Sequence, residues 1–318
     1  MAFMSLPARI LWVVRPGDGS TVGEILSKAG ADEAAIREGR VFVGRVRADD
    51  GAAMLEIGEV VTIAPSRPEP AAVRVLADEE GIVAVEKPAG MPTIPDQEGS
   101  AHSLLVALAT TLACDTRDLH PTSRLDHDVS GVVLFTRTPE AAERLATARK
   151  EGTYYRRYVA IASRTPDPEA GAWDAPIGRA KDPRRRLVRG RDAVPARSLY
   201  TVVARAGTYS MLALEPITGR THQLRVHAAD AGAALLGDGG YGGDTRVVLS
   251  SGRVLGIRRI ALHAARVVVP RRSGEAMEVR AEVPEDLRGL WTALGGVDDA
   301  WNAGLLPAFR ASVEPPPR

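Results

Sequence analysis

Short apolar runs of strand character, joined by tight polar or glycine turns, recur along this chain and constrain its fold more than any other feature. Leu199–Ala204 and Tyr209–Leu214 flank an Ala206-Gly207 turn, and Val73–Leu76 and Ile82–Val85 flank Asp78-Glu79-Glu80-Gly81. Runs this close in sequence pair as antiparallel neighbours, because a parallel pair needs a crossover of roughly a dozen residues or more. Further strand patterns cover Tyr154–Ala162, Leu262–Val269 and Met277–Glu282. Helical spacing in this part of the chain covers His102–Ala113, Pro139–Lys150 and a short segment, Thr221–Ala229, after Gly219. Hairpins with few helices predict an α+β fold, a large and mostly antiparallel sheet with flanking helices.

The chain has 318 residues, enough for one large domain and a small one. We expect an N-terminal segment at 1–17, a small α/β domain at 18–66, a Pro-rich linker at 67–72, a large domain at 73–290 and a C-terminal extension at 291–318. In the small domain, Val22–Lys28 and Glu33–Arg37 have helical patterns, Gly39 breaks the second, and Arg40–Val46 and Ile57–Ile63 read as strands. The single Cys114 excludes an internal disulfide and a cysteine-based zinc site, which suits a reducing cytosol. No apolar run approaches the roughly 20 residues of a membrane span, and no secretory signal is visible at the start. The six histidines (102, 120, 127, 222, 227, 263) are too scattered for a metal set. We therefore expect a cytoplasmic protein with no metal and no membrane partner.

Net charge is only +1, from 41 basic and 40 acidic residues, so overall charge does not mark a nucleic-acid binder. Only four of the basic residues are Lys, at 28, 87, 150 and 181. Arg grips phosphate with two donors at once. A GC-rich coding sequence gives the same bias, so the local clustering carries more information. Lys181–Arg191 reads KDPRRRLVRGR, six basic residues in eleven. Such a loop is a solvated charge run or a phosphate-contacting edge.

Four runs carry the chemistry. Residues 120–131 read HPTSRLDHDVSG and lead into the apolar strand Val132–Phe135. Asp126, at the mouth of that strand with Arg124 close by, suits a nucleophile or a general base. A salt-bridged surface aspartate is the bland alternative for such a run taken alone. Gly219–His227 reads GRTHQLRVH, Arg156–Ile161 places Tyr158 within a strand, and Val83–Gly90 leaves a strand through Lys87-Pro88-Ala89-Gly90. In order and spacing these runs resemble the pseudouridine synthases of the RluA type, from about Val73 to Leu287. The chain departs from the family pattern at three places: Ser123 stands for His, Glu86 for Asn and Arg156 for Lys.

The resemblance implies a sheet bent around a cleft and a cofactor-free isomerase acting on structured RNA, ribosomal RNA ahead of transfer RNA on family frequency, as a monomer. The reaction breaks the N1–C1′ bond of a uridine, turns the uracil and rejoins it through C5. By the same resemblance Asp126 is the reacting carboxylate, Arg225 its partner, Tyr158 a stacking ring and Leu262 an apolar wall against the base. Arg124, His222 and Gln223 would hold the strand open or contact its phosphates. A flipped uridine leaves its stack at a cost of a few kcal/mol. The small domain, through Ile36, Gly39-Arg40-Val41, Gly58-Glu59 and Ile63, resembles an RNA-binding domain shared by a ribosomal protein and many pseudouridine synthases. It lacks the basic, serine-containing start of the recognition helix; Ala29–Ala34 stands there.

Two other readings compete. A non-catalytic RNA-binding or ribosome-assembly protein could keep the fold, but it has no use for Asp126, Tyr158 and Arg225 together. A glycoside-type hydrolase needs two acids at a set separation. Asp128 is the only second acid near Asp126, and two residues along an irregular loop give no clear pairing.

Overall fold

The computed structural model describes residues 10–37, 39–44, 46–64, 72–95, 102–249 and 251–305. The chain divides into two compact units, Met1–Glu69 and Pro70–Arg318. The first holds strand β1 (Ile10–Val13), helices α1 (Val22–Lys28) and α2 (Ala34–Arg37), and strands β2 (Val41–Val43), β3 (Val46–Arg47) and β4 (Val60–Ile63). Its strands form an antiparallel sheet in the order β1-β4-β2-β3. A capping box starts α1: the Thr21 hydroxyl accepts from the Glu24 N–H, and the Glu24 carboxylate accepts from the Thr21 N–H. Two orphan donors are thereby satisfied. Val22, Ile25 and Leu26 then face Val41, Val61 and Ile63. The unit begins earlier than residue 18, because Ile10–Val13 pairs with Val60–Ile63 and belongs to this sheet. The linker expected at 67–72 lies, up to residue 71, outside the described residues.

The second unit contains strands β5 (Val75–Glu79), β6 (Ile82–Lys87), β7 (His120–Pro121), β8 (Ser130–Thr136), β9 (Tyr155–Ala162), β10 (Ala170–Trp173), β11 (Ile177–Arg179), β12 (Arg186–Val188) and β13 (Arg191–Val194). It continues with β14 (Ser198–Ala206), β15 (Tyr209–Pro216), β16 (Arg246–Val248), β17 (Val254–Gly256), β18 (Leu262–Pro270) and β19 (Ala276–Arg280). The helices are α3 (Leu104–Thr111), α4 (Pro139–Glu151), α5 (Gln223–Asp230), α6 (Glu285–Ala293) and α7 (Ala300–Leu305). Among the described residues ten strands make one sheet, with a main path β10-β14-β15-β9-β18-β8-β6-β5; β19 joins β18 and β7 joins β8. The expected α+β architecture is present, and β18–β8 is its one parallel joint among the described residues. That joint is tight. A Cβ on Gly131, at φ +121°, would sit 2.2 Å from the Ala264 carbonyl oxygen. Only glycine fits this backbone and this approach.

The period-two alternation of the strands sorts their side chains to two faces. Val83 and Val85 of β6, Val133 and Phe135 of β8, Tyr158 and Ala160 of β9, and Leu262 and Ala264 of β18 share one core with Leu125, Leu224 and helix α3. Ile82 and Ala84, and Val132 and Leu134, point the other way, onto Ala141, Leu145 and Ala148 of α4. Those three lie four and three residues apart, one stripe of a helix. Thr138 caps the start of α4, Pro139 fills its first turn, and Gly152 closes it in the left-handed conformation. Burying each large apolar side chain of such a core stabilises the fold by about 1.5–3 kcal/mol. Strand parity thus places Tyr158 and Leu262 on one face.

Two expectations need correction. Residues 291–305 are not a separate extension: Trp291 and Trp301 are fully buried against Val159, Ile161 and Leu236. Residues 306–318 lie outside the described residues. The run Lys181–Arg191 is not a plain loop, because Arg186–Val188 and Arg191 belong to strands of a three-stranded antiparallel sheet, β12-β11-β13. Val188 anchors that sheet in a small core with Ile177, Ala196 and Val226, while Lys181, Arg184, Arg185, Arg189 and Arg191 remain exposed.

Candidate active site

Asp126 sits on the short turn between β7 and β8, and its neighbours are fixed on both sides. The Leu125 N–H donates to the Thr93 hydroxyl (3.1 Å), which donates to the Leu125 carbonyl (3.0 Å). The Lys87 ammonium, at 0% exposure, donates to the carbonyls of Pro88 (2.9 Å), Met91 (2.5 Å) and His127 (3.0 Å). The Gly90 N–H also reaches the His127 carbonyl (2.9 Å). Desolvation pushes Lys87 down to about 7, helped by the charge of Arg259 and opposed by Asp126 and Asp128. The turn Lys87–Met91 therefore acts as a clamp on the chain around Asp126.

The cation beside Asp126 is Arg225. Its Nη1 donates to Asp126 Oδ2 (2.8 Å), while Nε and Nη2 grip Asp238 Oδ2 and Oδ1 (2.7 and 2.9 Å). Asp238 is 1% exposed, against 26% for the Asp126 side chain. The buried carboxylate holds the guanidinium by a two-point fork and leaves one edge for Asp126. Burial disfavours the Arg225 charge, but the hydrogen bonds and charges of Asp238 and Asp126 outweigh it and keep its pKa above the ordinary value. Arg124, expected as the local partner, lies exposed. Leu125 takes the inward position beside it, so the long charged side chain goes to water.

His222 and Gln223 open α5. His222 adopts a left-handed backbone, φ +56°, and its Nε2 lies 3.9 Å from Asp126 Oδ1. Its Nδ1 is 2.7 Å from the Tyr241 hydroxyl. Gln223 departs from the expected contact with the RNA strand. Its carbonyl accepts from the Thr218 hydroxyl (2.6 Å) and the Arg220 N–H (2.9 Å), and its amide donates to the Arg197 carbonyl (2.9 Å) and the Ser198 hydroxyl (3.0 Å). With every hydrogen-bonding direction used and only 4% exposure, it builds the turn before α5.

Tyr158 is buried, and desolvation raises its pKa, with the Asp126 charge adding to the rise. A hydroxyl pushed that way stays protonated at neutral pH, with the Arg156 guanidinium acting against the rise. Leu262 faces Ala160 across β9, two residues from the Tyr158–Ala264 pair. Arg156, where the family pattern has Lys, donates to the carbonyls of Pro216 (3.2 Å) and Thr218 (2.9 Å) and ties β9 to the turn before α5.

Sequence reading missed Asp238 and Tyr241. Both lie in Gly237-Asp238-Gly239-Gly240-Tyr241-Gly242, and four glycines around one acid and one aromatic ring mark a tight turn holding two chosen side chains. The Tyr241 ring lies under the Arg225 guanidinium (4.8 Å) and near that of Arg185 (5.4 Å). Its hydroxyl accepts from the Arg186 N–H of β12 (2.9 Å), which brings the exposed basic sheet to the edge of the site. Among the described residues no group of three or more His, Cys, Asp or Glu converges as a metal site.

A family model described as RNA pseudouridylate synthase matches residues 81–230, a span that includes Asp126, Tyr158 and Arg225. The RNA pseudouridine synthase YhcT of Bacillus subtilis is 32% identical over 229 residues, 70% of this chain and 72% of that one. Ribosomal large subunit pseudouridine synthase D of Xanthomonas campestris is 34% identical over 241 residues, 71% of each chain. Among solved structures, human RNA pseudouridylate synthase domain containing 4 aligns with a TM-score of 0.54 at 22% identity, over 70% of this chain and 92% of that one. That likeness is one of fold.

Proposed function

Because this chain belongs to the RluA-type RNA pseudouridine synthase family, we propose that it isomerises uridines in structured RNA to pseudouridine with Asp126 as the reacting carboxylate. The observation that carries the assignment of Asp126 is its ion pair with Arg225, 99 residues away in sequence, at the edge of an otherwise buried Arg225–Asp238 pair. Oδ2 is engaged by Arg225, and Oδ1 is the oxygen available to a flipped uridine. In the isomerisation the N1–C1′ bond breaks, a C5–C1′ bond forms, a proton leaves C5 and a proton joins N1. Atoms and electrons balance within the nucleotide.

Tyr158 supplies the stacking face for the uracil and Leu262 the apolar wall beside it. His222 lines the carboxylate side of the pocket, and Arg124 is placed in solvent where a phosphate can reach it. The exposed arginines around β12 and β13 are the phosphate-contacting edge. Ribosomal RNA is the favoured substrate class, because three similar proteins are named ribosomal large subunit pseudouridine synthase D.

Site-resolved pseudouridine mapping of total RNA tests this reading in cells lacking the protein, with wild type or Asp126→Ala added back. The expected result is that one or a few sites vanish and only wild type restores them. If no site changes, or if Asp126→Ala restores them, the reading fails.

A further inference from the structure

Tyr241 lies where three parts of the second unit meet. Its ring lies 4.8 Å from the Arg225 guanidinium, whose edges are taken by Asp238 and Asp126. A cation over an aromatic face is attracted to it, so the ring fixes the guanidinium plane. The same ring meets His222 edge to face, with centroids 5.7 Å apart and planes at 79°. Its hydroxyl has two neighbours, the Arg186 N–H at 2.9 Å and His222 Nδ1 at 2.7 Å.

The backbone contact fixes one of the two directions. A backbone N–H only donates, so the Tyr241 oxygen accepts from Arg186. Its own O–H is then free to donate to His222 Nδ1. Burial disfavours a charge on His222, with the Asp126 charge acting against that effect. In the neutral ring whose Nδ1 is an acceptor, the single proton sits on Nε2. Nε2 is the nitrogen that faces Asp126 Oδ1, at 3.9 Å. His222 itself holds a left-handed backbone, a conformation that a residue with a β-carbon keeps only where its surroundings enforce it. The Tyr241 contact supplies part of that enforcement.

We propose that Tyr241 is a positioning residue for the reaction at Asp126: its hydroxyl aims His222 Nε2–H at the free carboxylate oxygen, and its ring sets the plane of Arg225. The proposal rests on the pseudouridine synthase reading above. Because the hydroxyl also pins β12, the basic sheet Ile177–Val194 is tied to the same carboxylate through one side chain.

Tyr241→Phe keeps the ring under Arg225 and removes only the hydroxyl. His222→Asn keeps a side chain that tolerates the left-handed region. Full-length wild type, both single variants and the double variant are compared by tritium release from total RNA labelled with [5-³H]uridine and taken from cells lacking the protein. Each single variant is expected to lower kcat about tenfold or more, the scale of a misplaced reacting group. Apparent KM stays within about twofold, and the double variant is no slower than the slower single one, as for two residues acting through one contact. A Tyr241→Phe kcat within twofold of wild type overturns the proposal, and so do single effects that multiply in the double variant. If Tyr241→Phe fails to fold by thermal melting, His222→Asn alone decides, and an unchanged kcat there overturns it. A wild-type protein that releases no tritium from any RNA defeats the underlying reading instead, which separates the two failures.

Discussion

The two oxygens of Asp126 have different surroundings, one against the Arg225 guanidinium and the other open towards His222. Such an arrangement depends on guanidinium geometry and not on charge alone, because Arg225 must fork onto Asp238 while donating a third bond to Asp126. Lys keeps the charge but cannot make all three contacts in one plane. Arg225→Lys is therefore expected to lower kcat at least about 100-fold, a loss of about 3 kcal/mol of transition-state stabilisation. Single-turnover kinetics on the mapped RNA site check this, and a variant within about threefold of wild type would contradict it. At this scale Asp126, Tyr158 and Arg225 were singled out because each stands in a run with a recognisable order and spacing, and the fold brings Asp126 and Arg225 into contact. The partner of Asp126 was not legible from local sequence: Arg124 is two residues away and solvated, whereas Arg225 is 99 residues away and in contact. Asp238 escaped notice because a single aspartate in a glycine-rich turn does not announce the buried arginine it grips.

Among elements, the joint between β8 and β18 governs where the Asp126 turn can lie, since β8 begins four residues after Asp126. The joint is locked by the Gly131–Ala264 approach and by buried His263, whose Nδ1 meets the Ser130 hydroxyl at 2.8 Å. Desolvation lowers His263 to about 4 from 6.5, opposed by its bond to the Ala281 carbonyl and helped by the Arg259 charge. The unfolded chain takes up this proton below about pH 6.5 and the folded chain only below about pH 4. Between those values the unfolded state binds more protons, so stability falls as pH drops. The loss from this group is about 3 kcal/mol across that window. Urea midpoints from pH 7 to 4.5 should therefore decline more steeply for wild type than for His263→Gln, and equal slopes would contradict the account. The hairpins β5–β6 and β14–β15 were legible from alternation and turn residues. The parallel joint was not, because Ser130-Gly131 and His263-Ala264 carry no local sign of each other. The basic run was read as a loop because its strands are only three or four residues long, too short for alternation to register.

Over the whole molecule, positive charge is unevenly distributed. Ile177–Val194 holds seven basic and two acidic residues, net +5, in a chain whose total is +1. Phosphate contacts release counterions, so log affinity falls with log salt by a slope of nearly one per contact. Arg184→Gln, Arg185→Gln and Arg189→Gln together should weaken RNA binding at low salt and flatten that slope by about 1–3; an unchanged slope would show that the sheet faces solvent only. The expected domain boundaries rested on the proline-rich stretch after Ala64. They were misplaced at both ends, because β1 and the Trp291–Trp301 segment join their cores through contacts distant in sequence. The most direct test of the central claim is tritium release by the purified full chain and its Asp126→Asn variant, from [5-³H]uridine-labelled RNA of cells lacking the protein. Wild type is expected to release tritium, and the variant at a rate at least about 1,000-fold lower, the scale of removing a reacting group. Comparable release by Asp126→Asn, or none by wild type, would contradict it.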